Sequence, residues 1–161
     1  VPSGLFPSTA AVLLALVDFD SALWLDSQFD SDGEVVSWIT FHTGAPIVAD
    51  RSRAAFAAVS RFDDGLTLAD FHQGEPEFPD RSTTLIVQVD SLSNEDGRKL
   101  TGPGIQVSHQ LLVTPVAPGF LHQWTLNREG FPLGVDIILC APQAIACLPR
   151  TVNIEEFQPC M

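Results

Sequence analysis

Lysine is almost missing from this chain. Lys99 is the only one, and eight Lys and Arg face 20 Asp and Glu, for a net charge of −12. No basic stripe exists to neutralise phosphates, which argues against nucleic acid as a partner. A Schiff-base enzyme would have to use Lys99. That residue follows Arg98 in a charged turn, where a solvated lysine is the commoner case. Cysteine is also scarce. Cys140, Cys147 and Cys160 form an odd, sparse set, unlike a disulfide framework. A two-residue turn at Pro142–Gln143 pairs Cys140 with Ile145 and leaves Cys147 a diagonal neighbour, roughly 7–8 Å away and at or beyond disulfide reach. Reduced thiols in a cytoplasm are the expectation. Long hydrophobic runs are missing too. Ala10–Val17 and Ile137–Ala141 fall far short of the ~20 residues of a membrane span, so no membrane partner is expected.

The usual catalytic signatures are absent. The only Gly-rich segment is Thr101-Gly102-Pro103-Gly104-Ile105. It lacks the GxxxxGK[ST] pattern, and Pro103 removes an N–H that a phosphate loop would offer. It reads as a turn joining two elements. His42, His72, His109 and His122 are well separated, and Cys140 and Cys147 have no second pair, so no metal site is expected. No GxSxG elbow is present. No cofactor is expected.

What is present suits one domain. The chain has 161 residues, 45% apolar and 17% charged. At this size roughly 70% of the unfolded surface can be buried. Acidic residues are scattered from Asp18 to Glu34, and recur at Asp63–Asp64, Glu75–Asp80 and Glu155–Glu156. They read as a solvated surface, or as a dock for a basic partner.

The pattern predicts a helix over Thr9–Val17 capped by Ser8, and a strand over Ala22–Leu25. Asp32 caps a helix over Gly33–Thr43 that Gly44 ends, with Val35, Trp38, Ile39 and His42 on its apolar face. This makes His42 a hydrogen-bonded core histidine rather than a ligand or base. Short strands follow at Ile47–Ala49 and Ala55–Val59, then a short helix at Thr67–His72. Gly74 to Asp80 is a loop. Thr83–Val89 is β-branched on both faces and reads as a central strand. Further strands lie at Lys99–Thr101 and Gln110–Thr114. A helix opened by Pro118 carries Phe120, Leu121 and Trp124. Val135–Ala141 and Ala144–Leu148 form a hairpin. The expected fold class is α/β, a mixed β-sheet flanked by helices.

One residue is out of place. Asp136 begins an apolar run, and Asp is rarely buried unless paired. Arg150 is the natural partner. A two-residue turn sets Pro149 opposite Asp136 and aims Arg150 at the other face, whereas a three-residue loop sets Arg150 opposite. A structural role for Asp136 and a catalytic or partner-contact role both stay open.

Several blocks resemble the PhnH family, the H component of the bacterial carbon–phosphorus lyase complex of phosphonate catabolism. They are Phe41-His42-Thr43-Gly44-Ala45-Pro46, Thr84–Val89 with Leu100–Ile105, Phe131-Pro132-Leu133-Gly134-Val135-Asp136, and Leu148-Pro149-Arg150-Thr151. Their order and spacing agree with the family from about Ser8 to Ile154. A helical N-terminal stretch usual in the family is missing here.

The resemblance implies an α/β sandwich like the large domain of pyridoxal-phosphate-dependent transferases, without the cofactor or its lysine. It implies a homodimer that joins the G, I and J subunits of the lyase and works with the L component. That assembly makes ribose 1-phosphonate 5-triphosphate from ATP and an alkylphosphonate, displacing adenine. The resemblance assigns no catalytic residue. It marks Phe41, His42, Thr101, Gly102, Gly104, Phe131, Pro132, Gly134, Asp136, Pro149, Arg150 and Thr151 as structural or interface candidates. A free-standing enzyme with a site around His42, Asp136 and Arg150 is the competing reading. A pyridoxal-phosphate protein, on fold analogy alone, is a third.

Overall fold

The computed structural model describes residues 1–155 apart from Asp64. Asp64, Glu156 and Cys160 therefore lie outside the described residues.

Local chemistry explains most elements. Helix α1 spans Pro7–Leu16. Pro7 stands at its start, where a missing N–H costs nothing. Ser8 is not its cap: the helix begins one residue before it, and the Ser8 hydroxyl donates to the Ala141 carbonyl. Strand β1 is Leu23–Leu25. A short helix α2, Ser27–Ser31, is capped by Asp26 and has no counterpart in the sequence reading. Helix α3 spans Gly33–Thr43 as the sequence predicts. The Asp32 carboxylate accepts from Glu34 N and Val35 N, and Gly44 ends the helix at φ 70°.

The Ile47–Ala49 strand reduces to a single bridge between Ile47 and Leu23. Strand β2 is Phe56–Val59. One 3-10 turn at Leu68–Asp70 replaces the expected helix there. Strand β3, Thr84–Gln88, is followed by β4, Ser91–Thr101, and β5, His109–Thr114. Helix α4 is Phe120–Glu129. Strands β6, Asp136–Ala141, and β7, Ala144–Leu148, form the hairpin, and β8 is Asn153–Ile154.

Five strands form a mixed sheet in the order β1-β2-β3-β6-β7. The first four are parallel, and β7 returns antiparallel. β3 is central, as its β-branched run predicts. A second sheet, β5-β4-β8, packs near β7.

The large sheet is covered on both faces. Leu85, Val87, Ile137 and Leu139 meet Phe120 and Trp124 of α4 on one side. Ile86, Ala58 and Cys140 meet Leu13 of α1 and Val35 and Ile39 of α3 on the other. The chain is thus α/β, with a mixed sheet flanked by helices.

β4 is longer than predicted because it carries an excursion. Its register shifts between Ser93 and Arg98, so four residues bulge opposite Leu111–Leu112. Asp96 there has φ 54°. A Cβ on Gly97 would stand 2.1 Å from the Leu111 carbonyl carbon, so no other residue fits.

Candidate functional site

The sequence-marked residues converge at the start of β6. Asp136 pairs with Thr84 of β3 on one side. Its carboxylate accepts from Arg150 N at 2.7 Å, from Nε at 3.2 Å, and from Nη2. The other guanidinium hydrogens go to the Pro79 carbonyl at 3.1 Å, the Pro132 carbonyl at 3.2 Å, and Ser82 Oγ. All five donors of Arg150 are used. Its side chain is 11% exposed and that of Asp136 33%. An arginine so committed ties three chain segments together and has no hydrogen left for a ligand.

The register argument for this pair needs correction. The turn at Pro142–Gln143 does have two residues, and Ile137 lies opposite Leu148. Arg150 nevertheless reaches Asp136. The strand ends at Leu148, and Val152 N donates to the Pro149 carbonyl, so the backbone turns there. Alternation of side chains holds only within a strand.

Neighbouring marked residues serve the same hub. Gly134 has φ 121°, and a Cβ there would lie 2.8 Å from the Asn127 carbonyl oxygen. The close approach lets Asn127 Oδ1 accept from Val135 N at 2.8 Å while Nδ2 donates to the Val135 carbonyl at 2.9 Å. Gly102, φ 145°, lets the Thr101–Gly104 turn pass within 3.1 Å of the Thr151 carbonyl, measured from the Cβ it lacks.

His42 is not part of this hub. It is exposed on α3, and its ring lies against Trp38 at 4.6 Å and Phe41 at 5.1 Å. The expected core histidine is corrected: α3 buries Val35 and Ile39, and the stripe turns into solvent before reaching His42. Phe41 and Phe131 are strongly exposed, at 85% and 61%.

Ligands of open α/β sheets usually sit outside the carboxyl ends of parallel strands. Here that edge carries residues the sequence reading missed. Asp26, after β1, caps α2 through Phe29 N at 2.9 Å and accepts from Ser60 N, after β2, at 2.7 Å. Trp24, Arg51, Arg61 and Asp63 complete a crevice of about 360 Å³. Arg51 stacks over Trp24 at 4.7 Å and pairs with Asp70 at 3.0 Å. The only signal available in the sequence is the position of these residues just past predicted strands.

The crevice sets two carboxylates, Asp26 and Asp63, among two arginines, Arg51 and Arg61, and at the start of α2 the Phe29 N–H is already taken by Asp26. No group of three or more His, Cys, Asp or Glu side chains that could hold a metal converges among the described residues. No helix there is long and apolar enough to cross a membrane.

The family model for the bacterial phosphonate metabolism protein PhnH matches residues 1–155. The chain belongs to the PhnH family. It is 38% identical over 159 residues to the alpha-D-ribose 1-methylphosphonate 5-triphosphate synthase subunit PhnH of Rhizobium meliloti (strain 1021), covering 96% of this chain and 76% of that protein. It is also 38% identical over 81 residues to a protein of Stutzerimonas stutzeri provisionally named as the C-P lyase subunit protein HtxG. That match covers 50% of this chain and 42% of the relative. Of the PhnH-like blocks read from the sequence, Phe131–Asp136 and Leu148–Thr151 meet at Asp136 and Arg150, with Thr84 paired beside them, whereas Phe41–Pro46 lies apart on α3.

Proposed function

We propose that this chain is the PhnH component of a carbon–phosphorus lyase core complex, needed to make ribose 1-phosphonate 5-triphosphate from ATP and an alkylphosphonate. The relative from Rhizobium meliloti carries this reading: its name is that of a synthase subunit, and the similarity spans 96% of this chain. The chain contributes shape and contacts rather than a complete active site. Arg150 spends every guanidinium donor inside the fold. A nucleoside triphosphate needs backbone N–H groups, Arg or Lys, and usually Mg²⁺. The chain is a single domain that forms a homodimer alone, in the cytoplasm, and joins the G, I and J subunits, with the L component acting alongside. Its fold is that of the large domain of pyridoxal-phosphate-dependent transferases without the cofactor. The marked hub residues hold the fold, and exposed Phe41, His42 and Phe131 serve contacts.

The test supplies ATP and methylphosphonate to the purified protein, first alone and then with the G, I and L subunits. No adenine is released by the chain alone, and release by the full mixture requires it. Adenine from the chain alone, or unchanged release when it is omitted, refutes the reading.

A further inference from the structure

A charge that loses water on folding needs a partner to compensate it. Arg51, Arg98, Arg128 and Arg150 are the half-buried arginines of this chain. Three of them are matched by a side chain: Arg51 donates to Asp70, Arg128 to Asn153 and Arg150 to Asp136. Arg98 forms no ion pair and no side-chain hydrogen bond among the described residues, although acids outnumber bases 20 to 8 in the chain.

Register places this arginine. Leu100, two residues on, is buried in the core, and side chains alternate along a strand, so Arg98 faces the same inward side of β4. The bulge of β4 ends at Arg98, and bulges gather next to sites because they re-aim a side chain. Arg98 lines a cavity of about 70 Å³ between the second sheet and α4. It is the one charged residue of the lining, and the others, among them Leu111, Phe120 and Leu121, are apolar. Leu112 and Val116 also line it and are themselves 43% and 41% exposed, so the cavity opens on their side.

We propose that this cavity takes the alkyl chain of an alkylphosphonate and that Arg98 holds the phosphonate head. The proposal rests on the reading above and adds which residues of this chain meet that substrate. Each half of the ligand matches half of the site. An apolar cavity of about 150 Å³ holds a benzene ring, so one of about 70 Å³ has room for roughly three carbons. The phosphonate head offers two oxygens at once to the planar guanidinium fork. Its charge compensates the half-buried cation that the fold leaves unmatched. A wholly apolar ligand would leave Arg98 unpaired, and an amine would set a cation against it. The head stays at the open rim, within reach of another chain. That suits a component that presents substrate and does not complete the reaction by itself.

The experiment titrates propylphosphonate into the whole protein and follows its backbone amide resonances. Saturable shifts should centre on Arg98, Leu111 and Leu121. Affinity should rise about fourfold with each carbon from methyl- to propylphosphonate, the scale of one buried methylene, and then level off. Arg98→Gln should weaken binding about tenfold or more, as expected for a lost hydrogen bond to a charged group. Its circular dichroism spectrum should not change, because the side chain is only half-buried. Val116→Trp, at the open rim, should fill the cavity and abolish the dependence on chain length. With the G, I and L subunits present, Arg98→Gln should raise the KM for propylphosphonate in adenine release and leave that for ATP unchanged. The site is overturned if no shift saturates, if methyl- and propylphosphonate bind equally, or if butyrate binds as tightly as propylphosphonate. An unchanged KM in Arg98→Gln, with release still dependent on the chain, overturns the site and leaves the reading above standing. Release that does not need the chain overturns both.

Discussion

Asp136 and Arg150, left open in the sequence between a structural and a catalytic role, form a pair in space that spends all five guanidinium donors inside the fold. Arg150 joins the turn before β3, the segment before β6 and the end of the hairpin. Breaking a buried pair costs about 3–5 kcal/mol, and the one-third exposure of Asp136 places this one near the lower end. Asp136→Ala should therefore lower the melting temperature by roughly 6–12 °C, on the scale of about 2–4 °C per kcal/mol for a domain of this size. Arg150→Lys should not rescue stability, because a lysine cannot reproduce a planar fork of five donors. Calorimetry of both variants decides: melting within a degree of the parent would falsify the structural role.

Cys140 gives a pH-dependent prediction. Burial is the main cause that pushes its thiol up from 9.0 to about 11, while the Thr9 hydroxyl lowers it and Cys147 adds a small rise. Below pH 9 folded and unfolded chains both keep the proton. Between pH 9 and 11 the unfolded chain ionises first, so stability falls as pH rises. The gap corresponds to about 3 kcal/mol. Urea unfolding of Cys140→Ala should lack this loss, and parallel profiles for variant and parent would reject it.

At the scale of elements, the well-predicted pieces are those whose signals are local. α3 is bounded by an Asp cap and a left-handed glycine, both properties of a few neighbouring residues. The β6–β7 register follows from a two-residue turn. The sequence pattern marks only Lys99–Thr101 of β4, whose full span is Ser91–Thr101, because its bulge exists only against β5. Gly97→Ala should break that pairing, since the clash is with the Leu111–Leu112 backbone and cannot be relieved by a rotamer. Hydrogen exchange should then speed up at Leu111–Val113 while α3 stays protected. Unchanged protection across β5 would show that the bulge can be rebuilt without glycine.

For the whole molecule, charge and apolar surface are unevenly distributed. Acidic residues keep most of the surface hydrated and self-repelling. Exceptions among the described residues include the charge-free α1–β7 flank, Val107, and the exposed aromatics Phe19, Phe41 and Phe131. A chain whose arginine hub is closed to ligands and whose apolar residues reach the surface is built to be joined by other chains. That agrees with a PhnH-family member, and the adenine-release experiment tests it.

The α/β class, the central place of β3, the caps of α3, the hairpin turn and the family can all be read without coordinates. Each depends on periodicity, turn chemistry or ordered blocks, which are written along the chain. Folding in three dimensions was needed to bring Arg150 to Asp136 after the strand ends, to turn His42 into solvent, and to clamp the carboxyl edge of the sheet with Asp26 and Ser60. These depend on where the backbone turns and what lies opposite it, and no spacing in a linear chain specifies that.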